Sequence, residues 1–400
     1  MIGHSQTRKG DQFHLGCEVL LHSPPSWFRS GRLGLLANQA SVNSSLESVK
    51  ELILGAGGNL SCIFSPQHGF YSDKQANMIE SADWRDPDTG VPVVSLYSKT
   101  RQPSLEALKR IDVLLIDLQD VGTRIFTYTT TIGLCLEAAA LAGIKVAVLD
   151  RPNPINGTEI EGNVLEPAFS SFVGRYPVPM RHGLTTGEFA RFVCAAANVD
   201  CDLDVVSMRG WRRGSRFDDL GLNWVYPSPN MPTWETALLY PGMVLLEGTN
   251  ISEGRGTAMP FQLFGAPFLN RKKFLEEFKK HGLDSVTFRP VTYEPAFDKY
   301  RRQPCLGFQI HITDKARFKP YRMGLALLQA LGLTHPKHFR WLDPPYEYER
   351  EKLPIDILIG SSTVRRRVEQ GQDLDKIESD WEQQLREYRE KREPSLLYPE

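Results

Sequence analysis

Several sequence signatures of common protein classes are missing from this chain. No G-x-G-x-x-G follows the first predicted strand, where Asn38-Gln-Ala-Ser stands instead, and no G-x-x-x-x-G-K-[ST] occurs. These absences argue against dinucleotide binding and P-loop chemistry. The chain also has no G-x-S-x-G elbow, which weakens the case for a hydrolase with a serine nucleophile.

Metal-binding patterns are also absent. The six cysteines are spread without paired spacing, which argues against a zinc site and against a disulfide framework: Cys17, Cys62, Cys135, Cys194, Cys201 and Cys305. His68 and His182 stand apart, without the H-x-x-x-H spacing of a helical metal site. We therefore expect no metal and read the cysteines as small core residues.

The chain has little excess charge and no long apolar run. Its 47 Lys and Arg residues against 48 Asp and Glu residues leave a net charge of -1, which does not favour a nucleic acid or an anionic membrane as partner. No run reaches the length of a membrane span. Residues 1–10 lack the apolar core of a secretory signal. With cysteines typical of a reducing compartment, this predicts a cytoplasmic protein.

What is present is an alternation of apolar strands and helices. The predicted strands are 32–37, 60–64, 93–96, 113–118, 145–149, 204–208 and 307–312, and the predicted helices are 44–54, 103–110, 129–141, 185–197, 271–280, 321–331 and 377–392. Strands this apolar, spaced by helices, indicate an α/β fold with a parallel sheet covered on both faces. The length of 400 residues suggests more than one domain, and we expect domains at 1–165 and 166–400.

Polar clusters follow four of the predicted strands. They begin at Asn38, Ser65, Asp117 and Asp150. Parallel strands end on one edge, and open α/β sheets bind ligands beyond that edge. Each cluster alone could be the ordinary polar residues of a loop, but together the four clusters predict an active site.

A second concentration of polar residues lies between residues 224 and 267. Pro and Gly interrupt this segment too often for a long helix or strand. It carries Asn230, Glu247, Asn250, Glu253 and Arg255, which are residue types that bind polar ligands or move protons. We interpret it as a shaped site loop carried by the second domain, the alternative being a packed connection between domains.

Carboxylates, amides, arginines and aromatic rings together suit a sugar ligand. Glycoside hydrolysis needs one carboxylic acid to protonate the leaving oxygen and usually a second carboxylate as base or nucleophile. The candidate carboxylates are Asp117, Asp120, Asp150, Glu161, Glu247 and Glu253. Asp117 could instead close a strand, Asp150 could pair with Arg151, and Glu188 fits a helix cap.

Arginines could clamp an anionic group of the substrate or pair with neighbouring aspartates. The candidates are Arg124, Arg151, Arg181 and Arg255. Tyr128 could cover one face of a sugar or pack beneath the sheet edge.

At these residues the sequence resembles the exo-β-N-acetylmuramidases, a bacterial family long catalogued as a domain of unknown function. The matching blocks are Gly34-Leu-Leu-Ala-Asn-Gln, Phe64-Ser-Pro-Gln-His-Gly, Asp117-Leu-Gln-Asp-Val-Gly-Thr-Arg-Ile-Phe-Thr-Tyr, Asp150-Arg-Pro-Asn-Pro, Glu161-Gly, Arg181-His-Gly, Pro227-Ser-Pro-Asn-Met-Pro-Thr and Glu247-Gly-Thr-Asn-Ile-Ser-Glu-Gly-Arg-Gly-Thr. The resemblance implies a Rossmann-like doubly wound parallel sheet and a second, smaller α/β domain. It implies release of N-acetylmuramic acid from the non-reducing end of peptidoglycan fragments, without a cofactor, and in this chain a role in cell-wall recycling.

One position departs from the family. The family usually has Pro-Glu-His-Gly in the second block, and this chain has Gln67, whose amide cannot donate a proton as an acid does. Another carboxylate could take over, with Glu253, Glu247 and Asp120 as the candidates. Alternatively, the family's Glu could have only a binding role, which Gln can fill, or the chain could bind the sugar without cleaving it.

The sequence thus predicts two sets of site residues. The catalytic set is Gln67, His68, Asp120, Glu247 and Glu253. The set that binds the carbohydrate is Asn38, Gln119, Arg124, Tyr128, Asp150, Arg151, Asn153, Glu161, Arg181, His182, Asn230, Asn250 and Arg255. Within it, the amides would hold hydroxyl and acetamido groups, and one arginine would hold the lactyl carboxylate.

Overall fold

The structure is a computed structural model in which residues 13–75, 78–98 and 100–400 are described. These residues form twelve strands and thirteen α-helices. The strands are β1 Arg32–Ala37, β2 Asn59–Ser65, β3 Trp84–Arg85, β4 Pro92–Ser95, β5 Val113–Asp117, β6 Lys145–Leu149, β7 Glu161–Val164, β8 Pro179–Arg181, β9 Leu203–Val206, β10 Leu263–Ala266, β11 Val286–Tyr293 and β12 Cys305–Ile312. The helices are α1 Gly16–His22, α2 Trp27–Ser30, α3 Val49–Gly55, α4 Leu105–Leu108, α5 Tyr128–Ala142, α6 Thr186–Ala196, α7 Trp234–Met243, α8 Arg271–Phe278, α9 Pro320–Thr334, α10 Pro354–Ile359, α11 Ser362–Glu369, α12 Leu374–Ser379 and α13 Glu382–Arg392. Residues 1–10, expected not to form a secretory signal, lie outside the described residues.

The larger sheet has seven strands in the order β3-β4-β2-β1-β5-β6-β9. All pairings are parallel except that of β3, which runs antiparallel at the edge. Without β3, the six parallel strands follow the order 3-2-1-4-5-6 of a doubly wound Rossmann sheet. The prediction of a Rossmann-like α/β fold is confirmed.

The parallel register places the polar clusters on one edge. Leu36 of β1 lies opposite Phe64 of β2 and Ile116 of β5, and all three side chains are fully buried. These strands therefore end at the same level, and the residues that follow them converge there. The strand order reverses between β1 and β5, where a crevice opens in folds of this type.

A second, smaller sheet has the antiparallel order β10-β12-β11. Apolar side chains join it to α8 and α9, and one buried cluster continues from this region into the larger sheet. Residue 165 was the predicted domain boundary, and β9 lies beyond it in sequence yet belongs to the larger sheet.

Three predictions of local structure were wrong. The 224–267 segment contains the ten-residue helix α7, with Pro241 inside it. Thr233 caps that helix, and eight of its residues are buried, so packing outweighs the proline. Helix α3 begins at Val49, later than expected, because the residues before it form a turn in which Asn43 Oδ1 accepts the Ser45 and Glu47 N–H groups and Leu46 has φ of +66°.

The predicted helix 377–392 is in fact broken. The structure divides this region between α12 and α13, with Trp381 at the junction. Trp381 is only 4% exposed, and the centroid of its ring system lies 6.1 Å from the centroid of the Tyr321 ring. Ile377, Trp381, Leu385 and Tyr388 are all buried and have the spacing of one helix face, so the apolar pattern gives no local signal for the break.

The cysteines and the helices agree with ordinary globular packing. All six cysteines are free thiols, and four of them are buried. In the described ranges, no helix has the length and apolar character needed to cross a membrane. The same residues hold no group of three His, Cys, Asp or Glu side chains arranged for a metal ion.

Candidate active site

A cleft opens beyond the carboxyl edge of the larger sheet, where three segments meet. The space between these segments is about 460 Å³ when its solvent-open part is included. Its polar and aromatic lining comes from the sheet edge, from the 224–267 segment and from a C-terminal loop: Gln67, His68, Thr127, Tyr128, Ser228, Asn230, Tyr240, Glu247, Arg255, Phe261, Tyr346 and Glu347. Glu247, Arg255 and Tyr346 also line a neighbouring cavity, whose space is about 890 Å³ with its solvent-open part included.

Gln67 lies in this cleft, directly after β2, and its amide has a fixed orientation. The Thr127 hydroxyl donates a hydrogen bond to Gln67 Oε1 over 2.7 Å. The amide nitrogen is thereby turned towards Glu347, whose Oε1 it reaches with a long bond of 3.4 Å. Residue 67 thus presents a hydrogen-bond donor to a carboxylate.

His68 lines the same cleft with backbone φ of +71°, an uncommon conformation for a non-glycine residue. Its Nδ1 lies 2.7 Å from the Lys74 carbonyl oxygen, so Nδ1 must carry the hydrogen and donate. Burial lowers the pKa of His68 to about 4. The ring is therefore neutral at pH 7, and its Nε2 is an acceptor.

Glu247 and Glu253 meet at Arg255. The Arg255 guanidinium donates to Glu247 Oε1 over 2.7 Å, and its Nε lies 3.2 Å from Glu253 Oε1. Lys299 donates to Glu253 Oε2 over 2.9 Å, and the Tyr346 hydroxyl donates to Glu247 Oε2 over 2.7 Å. Gly254 has φ of +81°, which lets the chain turn tightly enough to bring the two glutamates to one guanidinium.

The pKa of Glu247 reflects two opposing effects. Burial raises it, while the charge and hydrogen bond of Arg255, together with the Tyr346 hydroxyl, lower it by more. The net pKa lies below the ordinary value of 4.5. Glu247 is therefore an ionised carboxylate at neutral pH.

Glu347 is a cleft residue that the sequence analysis missed. Its side chain is buried, and the Tyr97 hydroxyl donates to its Oε2 over 2.8 Å. Its chain segment reads Pro344-Pro-Tyr-Glu-Tyr-Glu, so a proline-bounded loop rich in aromatic and acidic residues was the available signal. The same kind of signal had singled out the 224–267 segment.

Asn38 and Tyr128 support the cleft wall. The Asn38 amide donates to the Tyr128 hydroxyl over 2.6 Å and to the Pro227 carbonyl over 2.8 Å. Tyr128 also donates to that carbonyl. Both residues thereby hold the loop that carries Asn230, whose own amide donates to Gln75 over 3.3 Å.

Other predicted residues lie at the sheet edge with protein partners. Arg151 pairs with Asp117, and both side chains are almost fully buried. Asp150 accepts hydrogen bonds from the Gly187 N–H and from two hydroxyls, and burial raises its pKa to about 7. Gln119 donates to two backbone carbonyls.

Asp120, His182 and Asn153 form part of the same supporting structure. Asp120 accepts from the Gly122 N–H over 2.7 Å, and His182 Nε2 lies 3.3 Å from the same carboxylate oxygen. Asn153 donates to the Leu184 carbonyl over 3.0 Å.

Four further predicted residues are, like those at the sheet edge, not part of the cleft lining. The Arg124 guanidinium donates to four backbone carbonyls, and Arg181 bonds to Glu159 and to a carbonyl. Glu161 accepts from the Arg322 N–H over 2.8 Å, and burial raises its pKa to about 7. Asn250 donates to the His338 carbonyl over 2.8 Å.

Comparison with known proteins agrees with this architecture. Two protein-family descriptions match the chain: Exo-beta-N-acetylmuramidase NamZ, N-terminal, over residues 33–235, and Exo-beta-N-acetylmuramidase NamZ, C-terminal, over residues 238–398. Peptidoglycan beta-N-acetylmuramidase NamZ of Bacillus subtilis (strain 168) is 40% identical over 395 residues, which cover 98% of this chain and 93% of the relative.

Two solved structures of DUF1343 family proteins from Bacteroides fragilis NCTC 9343 are also similar. The first has a TM-score of 0.86 and 32% identity, over 97% of this chain and 99% of the other. The second has a TM-score of 0.75 and 25% identity, over 98% of this chain and 100% of the other. The family matches, the full-length relative and the resemblance found in the sequence agree, and the chain belongs to the exo-β-N-acetylmuramidase NamZ family.

Proposed function

We propose that this chain is a glycoside hydrolase that releases β-linked N-acetylmuramic acid from the non-reducing end of peptidoglycan fragments. Its relative from Bacillus subtilis is a peptidoglycan β-N-acetylmuramidase with 40% identity over nearly the whole chain. The comparisons support this enzymatic reading over the silent sugar-binding protein that Gln67 alone had suggested.

The observation that carries the proposal is the Glu247–Arg255 pair inside an otherwise aromatic and polar cleft. Glycosidases need a carboxylate that is ionised while the positive charge develops on the sugar ring. Glu247 meets that need because its net pKa is lowered. Tyr240 and Phe261 line the same cavity and form an aromatic wall, in which their ring centroids are 4.9 Å apart and the Arg255 guanidinium lies over the Phe261 ring.

Arg255 is our candidate for the residue that holds the lactyl carboxylate. Of the four predicted arginines, all within the described residues, Arg255 is the one that lines the cleft, where it also binds Glu247 and Glu253. Arg124, Arg151 and Arg181 bind protein groups outside the cleft lining. A planar guanidinium recognises a carboxylate with paired hydrogen bonds. This contact would distinguish muramic acid from glucosamine, which lacks the lactyl group.

His68 and Asn230 are the candidates for holding hydroxyl and acetamido groups. His68 offers an acceptor at Nε2, and the Asn230 amide stands beside Ser228 on the cleft wall. We place the reaction in the cytoplasm, in the recycling of cell-wall fragments. The six free cysteines support a reducing compartment.

The test is hydrolysis of a chromogenic β-N-acetylmuramide by the purified protein, with the matching β-N-acetylglucosaminide beside it. We expect turnover of the muramide alone. Arg255→Lys keeps the charge but loses the paired donors, and should lower kcat/KM for the muramide about 10- to 100-fold, as expected for about 1.5–3 kcal/mol of charged hydrogen bonding.

Arg175→Lys is the matched control, because Arg175 pairs with Glu137 on the surface. It should leave kcat/KM unchanged. Equal turnover of both sugars would refute the role of Arg255, and no turnover of either sugar would refute the proposed function.

A further inference from the structure

Glu347 lies where an acid lost from position 67 could be replaced. The residue is 5% exposed and lines the cleft, and its carboxylate lies 3.4 Å from the Gln67 amide nitrogen. We propose that Glu347 is the carboxylic acid that protonates the glycosidic oxygen in this chain and that Gln67 is its positioning residue. The inference rests on the proposed glycosidase function.

The carboxyl group of Glu347 is held from two sides. The Tyr97 hydroxyl donates to Oε2 over 2.8 Å, and the Gln67 amide donates to Oε1. Thr127 fixes the amide in that orientation by donating to its oxygen. A glutamine at position 67 therefore performs a task that an ionised glutamate cannot, because a carboxylate there would repel Glu347 instead of donating to it.

The backbone at Glu347 also serves to place this side chain. Tyr346 and Glu349 exchange both backbone hydrogen bonds over 2.9 Å and so close a tight hairpin turn. The two central residues, Glu347 and Tyr348, have φ of +45° and +71°. Such a turn normally takes Asn-Gly, so two larger residues there are held in place by the surrounding structure, as happens at functional sites.

The two glutamates of the cleft have opposite pKa shifts. Burial raises the pKa of Glu347, and the negative charge of Glu247 raises it further, against the hydrogen bonds of Tyr97 and Gln67 and the charge of Arg255. The net pKa of Glu247 is lowered. A pair of carboxyl groups with pKa values moved apart supplies one acid and one base. The titratable and charged groups around Glu347 in the cleft are His68, Tyr97, Tyr240, Tyr346, Glu247 and Arg255.

The step balances as an ordinary hydrolysis. Glu347 gives its proton to the glycosidic oxygen as the bond from that oxygen to the anomeric carbon breaks, and the bonding electron pair stays with the oxygen. The remainder of the fragment leaves as an alcohol. One water adds to the anomeric carbon and gives a proton to the Glu247 carboxylate. Proton exchange with solvent restores both glutamates, so the net reaction consumes one water.

The first experiment uses Glu347→Gln and two muramides of different leaving groups. One is a disaccharide with a sugar leaving group, which needs protonation, and the other carries a dinitrophenyl group, which leaves as a stable anion. We expect the variant to lose about 10²- to 10⁴-fold in kcat on the disaccharide and to keep kcat on the dinitrophenyl substrate within a few fold. Glu137→Gln is the matched control, because Glu137 also accepts from a tyrosine hydroxyl but lies outside the cleft lining.

A second measurement keeps the test decisive if Glu347→Gln does not fold. Tyr97→Phe removes a hydrogen bond that lowers the pKa of Glu347, so that pKa rises. The acid must be protonated to act, and the fall of kcat/KM at alkaline pH therefore moves to higher pH. Tyr176→Phe, which removes the hydroxyl bound to Glu137, should leave the profile in place.

The outcomes separate this inference from the proposed function. If Glu347→Gln hydrolyses both substrates as fast as the unchanged protein, the role of Glu347 is overturned. It is also overturned if a folded Glu347→Gln loses the same factor in kcat on the disaccharide and on the dinitrophenyl substrate. The role of Glu347 is also overturned if kcat/KM of Tyr97→Phe falls at the same alkaline pH as kcat/KM of the unchanged protein. No hydrolysis of either muramide by the unchanged protein instead contradicts the proposed function.

Discussion

Arg255 should contribute more to stability than a surface ion pair, and its contribution should depend on pH. Its side chain is 10% exposed and compensates two glutamates that are 6% and 2% exposed. Breaking a buried ion pair costs about 3–5 kcal/mol. Glu247 keeps the Tyr346 hydroxyl and Glu253 keeps Lys299, so we expect Arg255→Met to lose about 3 kcal/mol at pH 7.5, the lower end of that range.

The sign of the pH dependence follows from the two states of Glu247. In the unchanged protein its net pKa is below 4.5, so it contributes stability above that pH and loses it as the pH falls through the folded-state pKa. In Arg255→Met the buried carboxyl has a raised pKa instead. Keeping that carboxyl group protonated in the folded state lowers the free energy of unfolding by about 1.4 kcal/mol for each unit by which the pH exceeds the ordinary pKa of the group. At pH 5 that is about 0.7 kcal/mol for Glu247, and the pKa of Glu253 is already raised in the unchanged protein, so the loss should fall to about 1 kcal/mol.

Urea denaturation followed by tryptophan fluorescence at pH 7.5 and pH 5 measures both values. Arg175→Met is the control. Its ion pair with Glu137 is 42% and 26% exposed, so it should cost less than about 1 kcal/mol at either pH. An Arg255→Met loss that is equal at the two pH values, or larger at pH 5, would refute this account of the cluster.

Two further predictions concern the core and a buried acid. Gly324→Ala would place a methyl group 2.5 Å from the Gly242 carbonyl oxygen, where α7 and α9 cross, and should lower the free energy of unfolding by about 1–3 kcal/mol. In the control Gly332→Ala, in the same helix, the added methyl group meets nothing closer than 3.8 Å, so this variant should be neutral or slightly stabilising. Equal effects of the two substitutions in urea denaturation would contradict this prediction. Burial raises the folded-state pKa of Asp150 to about 7, above its ordinary 3.8, so its contribution is lost as the pH rises. Relative to Asp150→Asn, the unchanged protein should lose about 2 kcal/mol between pH 5.5 and 8.5 in the same assay, and parallel stabilities would count against it.

The strands of the larger sheet were predictable because their signal is local. Residues 32–37 and 113–117 are short apolar runs, and burial on both faces is what makes such runs apolar. Helix α7 was not predictable in the same way, because Pro241 argues against a helix and the packing that outweighs it comes from α9, more than seventy residues later in the chain.

The residues of the cleft also differ in whether a local sequence signal could identify them. Gln67, Glu247 and Arg255 could be proposed from their motifs, since chemistry-bearing residues after strands and in proline-rich loops have a local signature. Glu347 could not be joined to them, because it is 280 residues from Gln67 in sequence and meets it only in the folded chain. Arg124 and Arg181 were indistinguishable from Arg255 as sequence, and their backbone partners appear only after folding.

By itself, the sequence determined the α/β class, the family and the edge of the sheet where the candidate site lies, because periodicity and compact motifs depend on neighbouring residues. The tertiary structure decided which charged side chains face the cleft and which are neutralised within the protein. Burial and pairing set the charge state of a carboxyl group, and both depend on partners that are distant in the chain. For this reason Glu247 is ionised, while Glu347 has the raised pKa of an acid.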